Sequence, residues 1–237
     1  MPVLYLIPVP VADDALHTLP TRTIEIAQHL DTFIVERAKT ARHFLKAAGI
    51  KRPLPEVEVT EIDDKDPIVA SRALQSAFRS GKDVGLLSEA GCPGVADPGA
   101  LVVEQAYQLG MRVQPLTGPS SILLALMAAG MNGQQFVFHG YLSPKRPELL
   151  RDLRRLEQAA ERLDQTQIFI ETPYRSKMVL EVALDALQPG TKFCIAQDIT
   201  GANEMIRSLT IAQWKANPVS IQEKAPAVFL IYKKSGR

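Results

Sequence analysis

The sequence predicts an α/β protein of two domains, with a mostly parallel sheet in the first and a mixed sheet in the second. Three observations carry this. Short apolar runs of strand length alternate with segments of helical periodicity, the pattern of βαβ units. Glycines stand just past several of the helical segments, where a left-handed residue ends a helix. The length of 237 residues suits two domains of roughly 110 residues each.

Taken in order, Val3 to Ile7 is an apolar strand, Thr21 to Leu30 a short helix and Thr32 to Val35 the next strand. Ala38 to Ala48 is helical and stops at Gly49; Asp66 to Arg79 is helical and is followed by Gly81. Val84 to Leu87 is a strand that opens into a loop from Ser88 to Gly99. Leu101 to Leu109 is a helix closed by Gly110, and Val113 to Leu116 is a short strand. The alternation up to this point favours parallel pairing with helices on the sheet faces. A domain boundary is expected between Leu116 and Ser120, giving domains 1–116 and 117–237. Beyond it, Ile122 to Ala129 is an apolar helix, and Phe136 to Phe138 and Gln167 to Ile170 are strand-like. The segments Lys192 to Gln197 and Ala227 to Tyr232 read the same way. A helix from about Pro147 to Leu163 carries Leu149, Leu153, Leu156, Ala160 and Leu163 on one apolar seam, with Arg151, Arg154, Arg155 and Arg162 off it.

Composition narrows the function classes. Hydrophobic residues make up 46% and charged residues 22%, an ordinary globular balance. The net charge of +1 provides no whole-protein field for nucleic acid, so RNA contact must come from local patches. Cys92 and Cys194 form no CxxC pair and no Cys/His cluster, which argues against a structural zinc. The N-terminal residues lack a signal-peptide pattern, and no window has the roughly 18 apolar residues of a membrane span. A cytoplasmic protein without membrane or metal partners is expected.

The densest motif is Ser88-Glu89-Ala90-Gly91-Cys92-Pro93-Gly94-Val95-Ala96-Asp97-Pro98-Gly99. It follows a strand and precedes a helix. Three glycines and two prolines make it stiff, with backbone open to close approach. In a parallel sheet the carboxyl end of a strand is where ligands sit. From spacing alone it is either a ligand loop or a long βα turn. Thr117-Gly118-Pro119-Ser120-Ser121 again joins a strand to a helix; its serines either cap that helix or face a ligand. Leu6-Ile7-Pro8-Val9-Pro10-Val11 ends the first strand, with prolines restricting the chain's exit. Rossmann, P-loop and GxSxG signatures are missing. The four histidines show no metal-ligand spacing, and Asp13-Asp14 and Asp63-Asp64 read as solvated turns. Glu171, at a strand end before Thr172-Pro173, is a further site candidate. Two basic clusters remain, Arg37/Lys39/Arg42/His43/Lys46/Lys51/Arg52 and Lys145/Arg146/Arg151/Arg154/Arg155. Each is either a solvated helix face or a track for phosphates.

In this order and spacing the three loops resemble the tetrapyrrole methylase superfamily, and within it the branch of small-subunit ribosomal RNA cytidine-2′-O-methyltransferases. The branch pattern S-D-A-G-x-P-G-x-x-D-P-G stands here as SEAGCPGVADPG, with Glu89 for the aspartate. P-G-P-S-A stands as Thr117-Gly118-Pro119-Ser120-Ser121, and G-[FY]-L-P-x-K-x as Gly140-Tyr141-Leu142-Ser143-Pro144-Lys145-Arg146. [FY]-x-E-[ST]-P-x-R stands as Phe169 to Arg175. Two segments depart from the pattern. T-P-I-G-N-L-x-D is replaced by Val9-Pro10-Val11-Ala12-Asp13-Asp14 after the first strand. In E-D-T-R-x-T, Glu36 is kept, Arg37 replaces the aspartate and Lys39 the arginine.

The resemblance implies two α/β domains with S-adenosylmethionine held in the cleft between them, a homodimer, and RNA as acceptor. It implies donor contacts from Pro10, Ser88, Ala90, Gly91, Pro93, Ser120, Ser121, Tyr141 and Leu142, with Pro226 and Ala227 closing the site. Glu36, Lys39 and Glu89 are the expected acceptor-side catalytic residues. The altered segments leave a small-molecule or protein acceptor open.

Overall fold

The computed structural model describes every residue except Asp64, Lys65, Pro67, Glu223 and 235–237. Asp64 of the second acidic pair and Pro67 of the expected Asp66–Arg79 helix therefore lie outside the described residues. The chain divides into two compact units, Met1–Ser120 and Ser121–Arg237.

The first unit holds β1 (Val3–Leu6), α1 (Thr21–His29), β2 (Thr32–Val35), α2 (Ala38–Ala47), β3 (Glu58–Glu61), α3 (Ile68–Arg79), β4 (Val84–Leu87), α4 (Ala100–Gln108) and β5 (Arg112–Pro115). Its sheet has the order β3-β2-β4-β1-β5, and every pairing is parallel. Central strands of such a sheet are covered on both faces, and all four residues of β2 and of β4 are buried. One face packs under α1 and α2 through Ile26, Ala27, Phe33, Phe44 and Leu45. The other packs under α3 and α4 through Leu4, Ile34, Leu74, Leu86, Val102 and Ala106. β4 needs its glycine: a Cβ on Gly85 would lie 2.7 Å from the Phe33 ring on the neighbouring strand.

The second unit holds α5 (Ser121–Ala129), β6 (Phe136–Tyr141), α6 (Arg146–Leu163), β7 (Thr166–Glu171), α7 (Ser176–Ala186), β8 (Lys192–Gln197), β9 (Met205–Thr210), α8 (Ile211–Ala216) and β10 (Ala227–Tyr232). Its sheet runs β6-β7-β10-β8-β9 and is mixed: β6 pairs β7 in parallel, and the other three pairings are antiparallel. Phe169, Phe229 and Phe193 stack across β7, β10 and β8 with centroids 5.2 and 5.9 Å apart. Around them Leu149, Leu153, Leu156, Val179 and Trp214 complete the core of the α6–α7–α8 face. The Trp214 indole N–H donates to the Phe193 carbonyl at 2.8 Å, which satisfies its polar end in the core. α5 covers the opposite face through Ile122, Ala125, Leu126 and Ala129. The Ser208 hydroxyl donates to the Ala129 carbonyl at 2.6 Å and ties down the end of that helix.

Leu163 is a correction to the expected α6 seam. It is 47% exposed, because the helix ends there and Asp164 turns left-handed at φ 50. Glu157 is buried in its stead, accepting from the Gln188 amide at 2.7 Å and from the Thr191 hydroxyl. Among the described residues no helix is long and apolar enough to cross a membrane.

Candidate functional site

Strands β4, β1 and β5 are neighbours and parallel, so the loops that leave their carboxyl ends rise from one edge of the sheet. These are three of the loops singled out in the sequence, and they are knitted together. Val9 donates to the Gly91 carbonyl at 2.9 Å and accepts from the Gly91 amide at 3.2 Å, a two-way bridge between the first and second loops. Gly91 holds φ +73 there, a conformation costly for a residue with a Cβ. The buried Ser88 hydroxyl points back to the Ala90 and Gly91 carbonyls at 3.3 and 3.4 Å. The Cys92 thiol donates to the Pro119 carbonyl at 3.4 Å, joining the second loop to the third. The third loop is fixed from beneath by the Thr23 hydroxyl, which donates to the Thr117 carbonyl at 2.8 Å. Gly118 packs so closely on the first loop that a Cβ would stand 2.3 Å from Pro8 Cβ.

Beside these loops lies a cleft of about 550 Å³ within the first unit. Val9, Pro10, Leu16, Phe44 and Leu54 supply its apolar lining, and Lys39, Arg42, His43 and Lys46 its basic side. Glu89 and Thr40 also line it. Of the expected acceptor-side residues, Lys39 and Glu89 thus share one cleft with Pro10. Glu36 is not in that lining; its Oε2 accepts from the Glu89 amide at 2.8 Å and so fixes the start of the second loop. Arg37 stands 3.8 Å from the Glu89 carboxylate, and the Thr40 hydroxyl reaches the same group at 3.4 Å. Two of the departures from the family pattern, Arg37 and Glu89, therefore form a pair. Glu61 on β3 accepts from the Ala38 amide at 2.5 Å and caps α2, which carries the basic side of the cleft.

Sequence reasoning passed over Asp97. Its carboxyl is pushed up to about 6, first by burial and then by the charges of Glu36 and Glu89, against a hydrogen bond from Ser88 that favours the ionised form. The Cys92 thiol is also raised, mainly by burial. The signal for Asp97 was its place in the second loop, but only the fold brings Glu36 close enough to matter. Among the described residues no group of three or more His, Cys, Asp or Glu side chains is arranged to hold a metal ion.

In the second unit the candidates gather at one end of its sheet, where β6, β7 and β8 end and antiparallel β10 begins. Tyr141 closes β6 and is 61% exposed. Leu142 is buried in the core of that unit. Ala227 pairs with both Glu171 and Gln197, and the exposed Pro226 accepts from the Asp198 amide at 3.3 Å. Glu171 is committed inside the protein. Its buried carboxylate pairs with Arg175 at 3.1 Å and accepts from the Thr172 amide at 2.7 Å, while Arg175 also donates to the Ser143 carbonyl at 3.1 Å. The E-[ST]-P-x-R motif is thereby a brace for the segment after β6. Ser120 and Ser121 are half-buried where the two units divide. Among the described residues neither hydroxyl makes a hydrogen bond, so neither works as a side-chain cap.

The family model for tetrapyrrole (corrin/porphyrin) methylases matches residues 3–214. The chain is 34% identical over 210 residues to a ribosomal RNA small subunit methyltransferase I of Mesorhizobium japonicum, covering 89% of this chain and 68% of that protein. It is 28% identical over 234 residues to the protein of that name in Vibrio cholerae, covering 98% and 77%. Among solved structures, the methyltransferase CobJ matches with a TM-score of 0.62 at 18% identity, over 98% of this chain and 94% of that one. The uroporphyrin-III-C-methyltransferase of Thermus thermophilus matches with a TM-score of 0.58 at 15% identity, over 98% and 92%. At these identities the two structures speak for the fold. With the model match across most of the sequence and the three interlocked loops, the chain belongs to the tetrapyrrole methylase family of methyltransferases.

Proposed function

We propose that this protein transfers a methyl group from S-adenosylmethionine to a ribose 2′-hydroxyl of small-subunit ribosomal RNA. The observation that carries the reading is the cleft in which Pro10 and Glu89, from the donor-side loops, meet Lys39 and a row of basic residues. The names of the relatives supply the RNA, and the branch resemblance supplies the 2′-oxygen.

The loops suit a donor of this kind. Glycine at 91 and at 118 lets backbone approach backbone, and the cross-links from Val9, Cys92 and Thr23 fix the loops before any ligand arrives. Preorganised backbone of this sort binds a polar ligand at little ordering cost. Pro10, Ala90, Pro93, Ser120 and Ser121 are assigned to the donor. Tyr141, Leu142, Pro226 and Ala227 are assigned to it from the second unit. Ser88 and Gly91 hold internal partners, so their part is to shape the loop.

When bound, the donor supplies an electrophilic methyl carbon on a sulfonium sulfur. In the displacement the S–CH₃ bond breaks as the O–CH₃ bond forms, and the hydroxyl proton must leave. Glu89 is assigned as the acceptor of that proton and Lys39 as the cation beside the developing oxyanion. Glu36 acts through the Glu89 amide as a positioning residue. Alignment alone contributes up to ~7–11 kcal/mol in well-ordered systems. A cytoplasmic homodimer accompanies this reading.

The test is transfer of tritiated methyl from S-adenosylmethionine to purified small ribosomal subunits. Label that becomes acid-soluble after ribonuclease supports the proposal. Label that stays with protein, or enters only a small-molecule acceptor, overturns it.

A further inference from the structure

We propose that the cleft between the β1 exit and α2 is the subsite for the acceptor nucleotide. It takes one base splayed out of single-stranded RNA against Leu16, His43, Phe44 and Leu54, with the flanking phosphates on Arg42 and Lys46. This deepens the RNA-methylation reading and rests on it.

Spacing along α2 is the first support. Residues 39, 42, 43 and 46 fall at i, i+3, i+4 and i+7, one face of the helix, and all four line the cleft. Charge is the second. Among the described residues none of these four has a carboxylate within ion-pair distance, whereas Arg37 and Arg52 at the ends of the same cluster are paired with Glu89 and Asp31. Asp13 and Glu89 are the acidic groups of the lining, and Glu89 is already met by Arg37. Three exposed cations beside an apolar floor match a ligand that is anionic along one side and flat and apolar on the other. A nucleotide has that form, and RNA-binding proteins read splayed bases by stacking them on aromatic or histidine rings.

Shape and place complete the case. The cleft volume of about 550 Å³ lies within the ordinary range of small-ligand sites. Glu89 and Lys39 line the same cleft as the base-sized floor, so a nucleotide seated there presents its ribose to them. The second basic cluster lacks this combination. Lys145, Arg146 and Arg155 are paired with Glu148, Glu181, Asp185 and Asp152, and Arg151 and Arg154 stand on the exposed face of α6.

The experiment is fluorescence anisotropy of the full chain with a labelled single-stranded 12-mer of oligocytidylate across a salt series. The variants are R42E/K46E, the milder R42Q/K46Q, H43A, and R151E/R154E as the control for general electrostatics. Wild type binds. R42E/K46E weakens binding at least tenfold and flattens the salt dependence by about 1.4 in log–log slope, the share of two phosphate contacts. R42Q/K46Q moves in the same direction, and H43A weakens binding about tenfold with the slope unchanged. R151E/R154E stays within twofold of wild type, and circular dichroism melts show that each variant folds. The subsite is overturned if wild type does not bind the oligonucleotide, if R42E/K46E and R42Q/K46Q both bind as wild type, or if R151E/R154E loses as much. Methyl transfer to small subunits, run in parallel with wild type, separates the two levels: transfer with no effect of the α2 variants on binding or KM sinks the subsite alone, and no transfer to RNA sinks the function.

Discussion

Gly118→Ala tests whether the three Gly/Pro-rich loops are held as one body. The methyl group would sit 2.3 Å from Pro8 Cβ, 2.8 Å from Pro8 Cγ and 3.3 Å from Leu19 Cδ2. Carbon atoms rest at about 3.5–4.0 Å, so Pro8 and Gly118 must separate by about 1 Å. Neither partner yields by rotating a side chain, because the pyrrolidine ring is tied to its own backbone. Gly118 does not carry a left-handed φ, so the penalty is one of space alone. Overpacking of this type costs about 1–3 kcal/mol. At about 2 kcal/mol the melting temperature falls by roughly 4–8 °C for a chain of this size. Scanning calorimetry measures that shift, and titration calorimetry with S-adenosylmethionine measures the severalfold loss of donor affinity that follows when the first and third loops part. Gly133→Ala is the control, since nothing lies within 4 Å of its added Cβ. A G118A protein that melts and binds donor as wild type does would refute the interlocked-loop argument.

Three further outcomes follow from the same geometry. Asp97 is raised in the fold to about 6 from an ordinary 3.8, so the folded state holds its proton more tightly than the unfolded chain. The stability this contributes is complete below about pH 4 and is lost as pH rises through about 6. Partial exposure and screening reduce it to about 1 kcal/mol. Urea melts of D97N should match wild type near pH 4 and exceed it by that amount at pH 8. Arg175→Ala leaves the carboxylate of Glu171, whose side chain is 2% exposed, without its cation. A loss of about 2–3 kcal/mol in urea unfolding is expected, below the full value for a buried pair because the Thr172 amide remains. Glu89→Gln should lower kcat for methyl transfer by about 10²-fold or more with donor affinity kept, as expected on removal of a general base. An unchanged kcat would return Glu89 to a structural role.

Much of the fold was legible because helix and strand left different periods in the sequence. β2, β4, β8 and β10 are short apolar runs that match the observed strands residue for residue. β3, with sequence Glu-Val-Thr-Glu, was not visible, because an edge strand needs no apolar run and its charges discourage further pairing. β9 (Met-Ile-Arg-Ser-Leu-Thr) escaped for the same reason at the edge of the second sheet. α7, although its Val179, Val182 and Ala183 are buried at helical spacing, was hidden behind the Thr172-Pro173 turn. At the site, the loops were readable as Gly/Pro-rich breaks after strands, and their resemblance to a family named the donor. The cross-links were not readable. Val9 with Gly91, Cys92 with Pro119 and Arg37 with Glu89 join residues 27 to 82 positions apart in the chain, and local pattern holds no record of such pairs. The Arg37–Glu89 pair also changes the meaning of two of the departures. Arg37 takes the place of one of the pattern's acids, Glu89 keeps an acid with one more methylene, and the two meet as an ion pair at the edge of the cleft beside α2.

The claim that a ribose 2′-oxygen of ribosomal RNA receives the methyl group is tested most directly by mass spectrometry of nucleosides. Small subunits are incubated with the protein and deuterated-methyl S-adenosylmethionine, and their RNA is digested completely. The account predicts deuterium in a 2′-O-methylated nucleoside, with the label retained on the ribose after the base is released. Deuterium in a base-methylated nucleoside, or in ribosomal protein with none in the RNA, would contradict it.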